Sequence, residues 1–211
     1  MFEFERRLRE ALSYEAGEWR SSWSKLDTRY RVEALLTIAI LKMSQAVPKP
    51  ASDRKIIFLS PSANNGYIEG LMQKTWGNKY LIIAADLVDV NKLSRGFIGR
   101  GAKPLRSDGA RLPFANSSVD LIFDRAGAMY YEAKWDRENP QNNGSNTLQL
   151  FETYRRVLRP GSPLIIDQNT SYDNSTGPLV DDALHGQKPK GFGEPFVIGF
   201  LTWQYRIYQK I

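Results

Sequence analysis

The 211-residue sequence contains no cysteine and a single histidine, His185. The first absence excludes disulfides, thiolate metal sites and a cysteine nucleophile, and it fits a reducing compartment without requiring one. The second excludes a multi-histidine metal centre, so no metal site is expected, and it confines any serine–histidine pairing to His185, a base only if its loop reaches the site. Long apolar runs are also missing. The longest, Ala34 to Leu41, is far short of the ~20 residues a membrane span needs. The start, MFEFERRLRE, is charged from its third residue and has no apolar core of the kind a secretory signal carries. These features predict a soluble, cytoplasmic protein. There is no internal repeat and no low-complexity tract.

What is present is an ordinary globular composition with a basic balance: 42% hydrophobic residues, a net charge of +6 and a pI near 9.5. The hydrophobic content is enough for one α/β domain with a full core. The Lys and Arg residues are scattered among Asp and Glu rather than clustered, which predicts a solvated basic surface and argues against a nucleic-acid groove.

Two regimes follow one another along the chain. Before residue 50, apolar residues recur at helical spacing (Phe4, Leu8, Leu12, then Tyr30, Val32, Leu35, Leu36, Ala39, Ile40, Met43), which predicts two helices parted near RSSWSKLD. VPKPASD ends that unit, since prolines cannot occupy a helix interior. We therefore expect a helical extension over residues 1–50 and a second domain over 51–211.

In the second domain short continuous apolar runs alternate with helical segments. The runs are Lys55 to Ser60, Tyr80 to Asp86, Val119 to Asp124 and Pro163 to Asp167, the pattern of strands buried on both faces. Helices are expected near Tyr67 to Thr75, Asn91 to Ile98 and Thr147 to Leu158. This βαβ alternation predicts a parallel sheet between helical layers. Asn139 to Asn146 reads as a polar turn. Asn169 to Glu194 reads as a long loop with at most a short helix near Leu179 to Leu184, and the tail FVIGFLTWQYRIYQKI as two closing strands.

In open α/β sheets ligands bind at the carboxyl ends of the strands. The first run ends in SPSANNG (Ser60 to Gly66), a turn of small residues that lets a ligand approach the backbone and the following helix. The second ends in Asp86, twenty residues after Gly66. A carboxylate there either caps the next helix or accepts from two vicinal ribose hydroxyls. Asp108 lies in a turn within SDGARLPFANSSVDLIFD, and the helix TYRRVL ends at Pro160–Gly161 before the strand PLIID.

With these features the sequence resembles the class I S-adenosylmethionine-dependent methyltransferases, in particular the small-molecule branch. The acidic end of the second strand, SDGARLPFANSSVDLIF and RRVLRPGSPLIID carry the resemblance over residues 53 to 168. It implies a Rossmann-like α/β fold with a seven-stranded sheet, mostly parallel with an antiparallel last strand, plus the N-terminal helices. It implies S-adenosylmethionine as cofactor and a small-molecule acceptor. By the same resemblance Asp86 holds the ribose, Leu87 flanks the adenine, and Asp108 with the Gly109 backbone reads the adenine edge. Asp124 is the expected polar group at the reaction centre. Arg125 is an anchor for an acidic substrate, and Tyr130, Tyr131 and Trp135 are candidate walls of an acceptor pocket.

The glycine-rich loop departs from the pattern. With the third glycine placed at Gly66, Ser60 occupies the position of the usual acidic residue, and Ser62 and Asn64 replace the first two glycines. A side chain at such positions competes with a ligand pressed against the backbone, and a strand-end serine leaves a cofactor ammonium without its carboxylate. The alternative class is therefore a non-catalytic protein of methyltransferase fold, one that has lost cofactor binding and serves as a binding or scaffolding subunit. A nicotinamide dehydrogenase is a weaker rival, because the loop lacks that class's glycines as well.

Overall fold

The computed structural model describes residues 28–50, 53–61, 63, 66–87, 101–125, 127–167, 176–200 and 203–211. Two compact units are present, Met1–Ala46 and Val47–Ile211. In the first unit the described element is a helix, α1 (Thr28–Met43), along which Leu36 to Leu41 are buried. The expected helix near Phe4 to Leu12 lies outside the described residues. No helix among the described residues is long and apolar enough to cross a membrane.

The second unit is a seven-stranded sheet built from β1 (Ile56–Pro61), β2 (Tyr80–Asp86), β3 (Lys103–Arg106), β4 (Leu121–Asp124), β5 (Pro163–Asp167), β6 (Phe196–Phe200) and β7 (Trp203–Gln209). Its helices are α2 (Tyr67–Trp76), α3 (Ala128–Glu138), α4 (Ser145–Val157) and α5 (Thr176–Leu184). The strand order is β3-β2-β1-β4-β5-β7-β6. β1 to β5 pair in parallel, β7 runs against β5, and β6 runs against β7. The expected mostly parallel seven-stranded sheet with an antiparallel last strand is the fold observed.

Alternation of side chains along the central strands divides the core into two layers. Leu59, Ile122, Leu164 and Ile166 face a cluster that includes Met129 and Ala133 of α3, Leu150, Phe151 and Tyr154 of α4, and Leu179, Val180 and Ala183 of α5. Phe58 and Phe123 face the other way, in a chain of tilted aromatic contacts from Trp76 through Phe58 and Phe123 to Tyr205. Up to their polar carboxyl ends, the central strands thus carry apolar residues in consecutive positions because both faces are covered.

Two local outcomes differ from the sequence expectation. β3 was not read as a strand from its residues, because KPLR is an edge strand with no apolar run and its side chains are at most half-buried. The stretch expected to be a long loop contains a nine-residue helix that starts at Thr176, earlier than the Gly-Pro pair suggests. Its Leu179, Val180, Ala183 and Leu184 are buried, so packing outweighs the weak propensity of TGP. The helix expected near Asn91 to Ile98 lies outside the described residues.

Asp120 ties the amino-terminal side of the sheet together. Arg54 donates to its two oxygens at 2.7 Å each, the Ile57 N–H donates at 2.8 Å, and Arg159 lies 3.1 Å away. Burial acts to raise this carboxyl, but the Arg54 hydrogen bonds, the Ile57 N–H and both guanidinium charges outweigh it and hold it below the ordinary carboxylate range. Arg54 is half exposed, so water rehydrates it when the carboxylate is removed, whereas the Ile57 N–H and the buried Arg159 Nε lose their neighbouring acceptor. Asp120→Ala is expected to cost about 2–3 kcal/mol in urea unfolding, and an unchanged midpoint would show that Asp120 does not hold the edge.

Candidate cofactor and active site

The chain enters the sheet at its centre, runs outward through β2 and β3, and then crosses to the other side of β1 to form β4 and β5. The connections leaving β1 and β4 therefore part in opposite directions at the carboxyl edge, the topological position where α/β sheets bind ligands.

Five segments meet along this edge. The loop after β1 lies beside the end of β2, with the Ala63 N–H donating to the Ala85 carbonyl at 2.8 Å. The end of β3 lies beside it, with the Ser107 N–H donating to the Asp86 carbonyl at 2.9 Å. The following turn then swings back. A Cβ on Gly109 would stand 2.6 Å from Ala128 Cβ, 3.7 Å from the Tyr154 hydroxyl and 3.9 Å from Pro61 Cβ, so only glycine fits there between β1, the start of α3 and α4. Asp124 and Arg125 close the row at the end of β4. The fold thus places Ser60, Gly66, Asp86, Asp108, Gly109, Asp124 and Arg125 along one sheet edge. Ser62 and Asn64 lie outside the described residues.

Gly66 explains why one glycine of the loop is kept. It is the residue before α2 and sits at φ 61°, ψ 24°, a left-handed conformation that costs other residues strain. Its N–H donates to the Ala63 carbonyl at 2.8 Å and its carbonyl accepts from Gly70 at 3.0 Å, which closes the turn onto the first helical coil.

Ser60, in the position where a carboxylate was expected, is buried and donates its hydroxyl proton to Glu69 Oε1 at 2.7 Å. Glu69 stands in the first turn of α2 and is itself buried, with 5% relative exposure. Burial raises its carboxyl above the ordinary value and the Asp86 charge adds to this, while Ser60, its own N–H and Arg125 act in the opposite direction. The sequence reading missed Glu69. The available signal was a charged residue three positions after Gly66, in a helix start otherwise apolar on its inward side (YIEGLM).

Asp124 has no exposed surface. Its Oδ2 accepts from the Met129 N–H at 2.8 Å and from the Tyr154 hydroxyl at 2.6 Å, while Oδ1 has no hydrogen-bond partner among the described residues. Burial, with the charge of Asp167 adding to it, pushes the carboxyl up to about 7 against the hydrogen bonds of Tyr154 and the backbone. Burial and the neighbouring Asp124 carboxylate in turn raise the Tyr154 phenol well above its ordinary value. Tyr154 was legible only as an apolar-stripe residue of α4.

The remaining expected site residues are more open. Leu87 is 66% exposed beyond β2. Asp108 is exposed and accepts from the Ala110 N–H at 2.9 Å, so it caps the short 3₁₀ turn Gly109–Arg111. Tyr130 and Tyr131 meet edge to face at 5.3 Å. Tyr131 and Trp135 line an open groove of about 510 Å³ along α3 together with Glu132, Lys134, Glu138 and Asn146. Arg125 is half-buried, and His185 is exposed in the turn after α5.

Comparison with solved structures agrees with this architecture. A S-adenosylmethionine-dependent methyltransferase from Aquifex aeolicus superposes with a TM-score of 0.56 at 19% identity, over 89% of this chain and 95% of that one. The Pyrococcus horikoshii PH0226 protein gives 0.59 at 13% identity, over 93% and 98%. TrmN from Thermus thermophilus gives 0.56 at 17% identity over 84% of this chain and 49% of its own, so this chain spans about half of TrmN's length. No protein-family model and no curated protein matches the chain. At these identities the likeness carries the fold: the chain has the class I S-adenosylmethionine-dependent methyltransferase fold.

The buried Asp124 generates a pH dependence of stability. The folded carboxyl titrates at about 7 and the unfolded one near its ordinary 3.8, so between these values the folded chain holds a proton that the unfolded chain has released. Stability from this group is full below about pH 4 and falls as pH rises to about 7. Asp124→Asn keeps an oxygen for Met129 and Tyr154 but does not titrate. The stability of wild type relative to this variant should fall by about 2–4 kcal/mol between pH 4 and pH 7, and a constant difference in denaturation across that range would contradict the assignment.

Proposed function

We propose that this protein is a S-adenosylmethionine-dependent methyltransferase acting on a small-molecule acceptor. What supports the reading is that Asp86, the Asp108–Gly109 turn, Gly66 and the Ser60–Glu69 pair all belong to the carboxyl edge of a sheet of methyltransferase topology. The donor chemistry fits an adenosyl amino acid. Asp86 offers a carboxylate to two vicinal hydroxyls. The close-packed Gly109 backbone, with Asp108 beside it, offers an edge for the adenine, and Leu87 offers an apolar flank. Gly66 shapes the end of the loop; Ser62 and Asn64, in its glycine positions by sequence, are the further proposed cofactor contacts. Arg125 anchors an acidic group of the acceptor, and Tyr130, Tyr131 and Trp135 supply its aromatic wall.

The cofactor supplies an activated methyl on a sulfonium, so the protein's contribution is to hold the acceptor in line with it at near-attack distance. Asp124, having no exposed surface, works by position: through Met129 and Tyr154 it fixes where the turn after β4 begins α3, and hence where Arg125 stands. A base is required only when the acceptor must lose a proton.

A second reading, a scaffold of the same fold that does not bind the cofactor, is favoured by Ser60 standing where the acidic residue was expected. Calorimetry with S-adenosylmethionine and S-adenosylhomocysteine separates the two. The enzyme reading expects micromolar binding of both, weakened at least about tenfold in Asp86→Ala by loss of the hydroxyl contacts. Absence of binding up to millimolar ligand would reject the enzyme reading and favour the scaffold.

A further inference from the structure

We propose that Glu69, held by the Ser60 hydroxyl, supplies the carboxylate that the end of β1 lacks and receives the α-ammonium group of the ligand's amino-acid end. The inference rests on the reading above, that this edge binds an adenosyl amino acid, and it adds which side chain recognises the charged end.

Glu69 is oriented back from the first turn of α2 onto the last turnward residues of β1, where Ser60 donates to it at 2.7 Å. Both side chains are buried, Ser60 with 2% and Glu69 with 5% relative exposure. Glutamates are seldom buried to this degree without a paired charge, because removing a carboxylate from water is costly. A purely structural task does not require it. An acidic residue in a first helical turn stabilises the helix while fully exposed, and a strand serine can be satisfied by backbone. What burial does achieve is a carboxyl in low-dielectric surroundings, where a cationic group would be bound more strongly than by a hydrated surface carboxylate and would itself favour the ionised form. The charges of Asp86, at the end of β2, and Arg125, just beyond β4, both act on Glu69.

The geometry also explains the serine. An aspartate at position 60 would face the Glu69 carboxylate across hydrogen-bond distance, and two buried carboxylates this close cannot both ionise. A hydroxyl donor at 60 and an acceptor at 69 form a compatible pair, so one carboxyl has moved from strand to helix without leaving the carboxyl edge.

The experiment compares S-adenosylhomocysteine with 5′-methylthioadenosine, which shares the adenosine and thioether but has no amino-acid end, by calorimetry on the full chain. Glu69→Gln, nearly isosteric, is expected to bind S-adenosylhomocysteine roughly 10- to 100-fold more weakly and methylthioadenosine within about twofold of wild type. The double variant Ser60→Asp with Glu69→Gln returns a carboxylate to the strand and is expected to recover most of the lost affinity for S-adenosylhomocysteine. Equal binding of S-adenosylhomocysteine by wild type and Glu69→Gln would overturn the assignment, as would parallel weakening of both ligands or failure of the double variant to recover while still binding methylthioadenosine. If wild type binds neither ligand up to millimolar, it is the cofactor reading itself that fails.

Discussion

Everything at the candidate site depends on the parallel pairing of β1 with β4 at the centre of the sheet. Because these neighbours are not consecutive in sequence, the connections that leave their carboxyl ends run to opposite sides of the sheet, the arrangement at which open α/β sheets bind ligands. The same pairing lines up residues that are more than sixty positions apart, Ser60 and Pro61 on one strand and Asp124 on the other. The long return from β3 comes back to the same edge, with Gly109 packed against Ala128 beside Pro61 and Tyr154.

A single device recurs where strands hand over to helices along this edge. At the end of β4, Asp124 accepts from the N–H of Met129 in the first turn of α3. At the end of β5, Asp167 accepts from both the hydroxyl and the N–H of Thr176, the first residue of α5. Each carboxylate satisfies a donor that the helix start leaves unpaired and sits at the positive end of the helix dipole. At β1 the direction is reversed: the strand brings the donor, Ser60, and the helix brings the carboxylate, Glu69. Strand-end and helix-start side chains thus satisfy one another's hydrogen bonds at three places along this edge.

The cost of burying these acids is carried by the network around them. Asp124 and Tyr154 share a short hydrogen bond deep in the layer formed by α3, α4 and α5. Asp124 also lies close enough to Asp167 for the two charges to oppose each other. The edge is thus electrostatically tense on its β4–β5 side, whereas on the β1 side the Arg125 charge opposes part of the tension at Glu69.

The sequence by itself determined the alternation of buried strands and helices, the placement of most strands to within a residue or two, and the positions of acidic residues at strand ends. These follow from local signals: unbroken apolar runs, Pro–Gly terminators and strand-end polarity. Only the tertiary structure decided that KPLR is a strand, that TGPLVDDAL is a helix, that Asp124 is buried against the Tyr154 hydroxyl, and that Ser60 is hydrogen-bonded to a buried Glu69. An edge strand is defined by its neighbour and a marginal helix by the surface it covers. A buried ionisable group is defined by which distant side chains the strand order brings against it, and none of these has a periodicity that a one-dimensional pattern can carry.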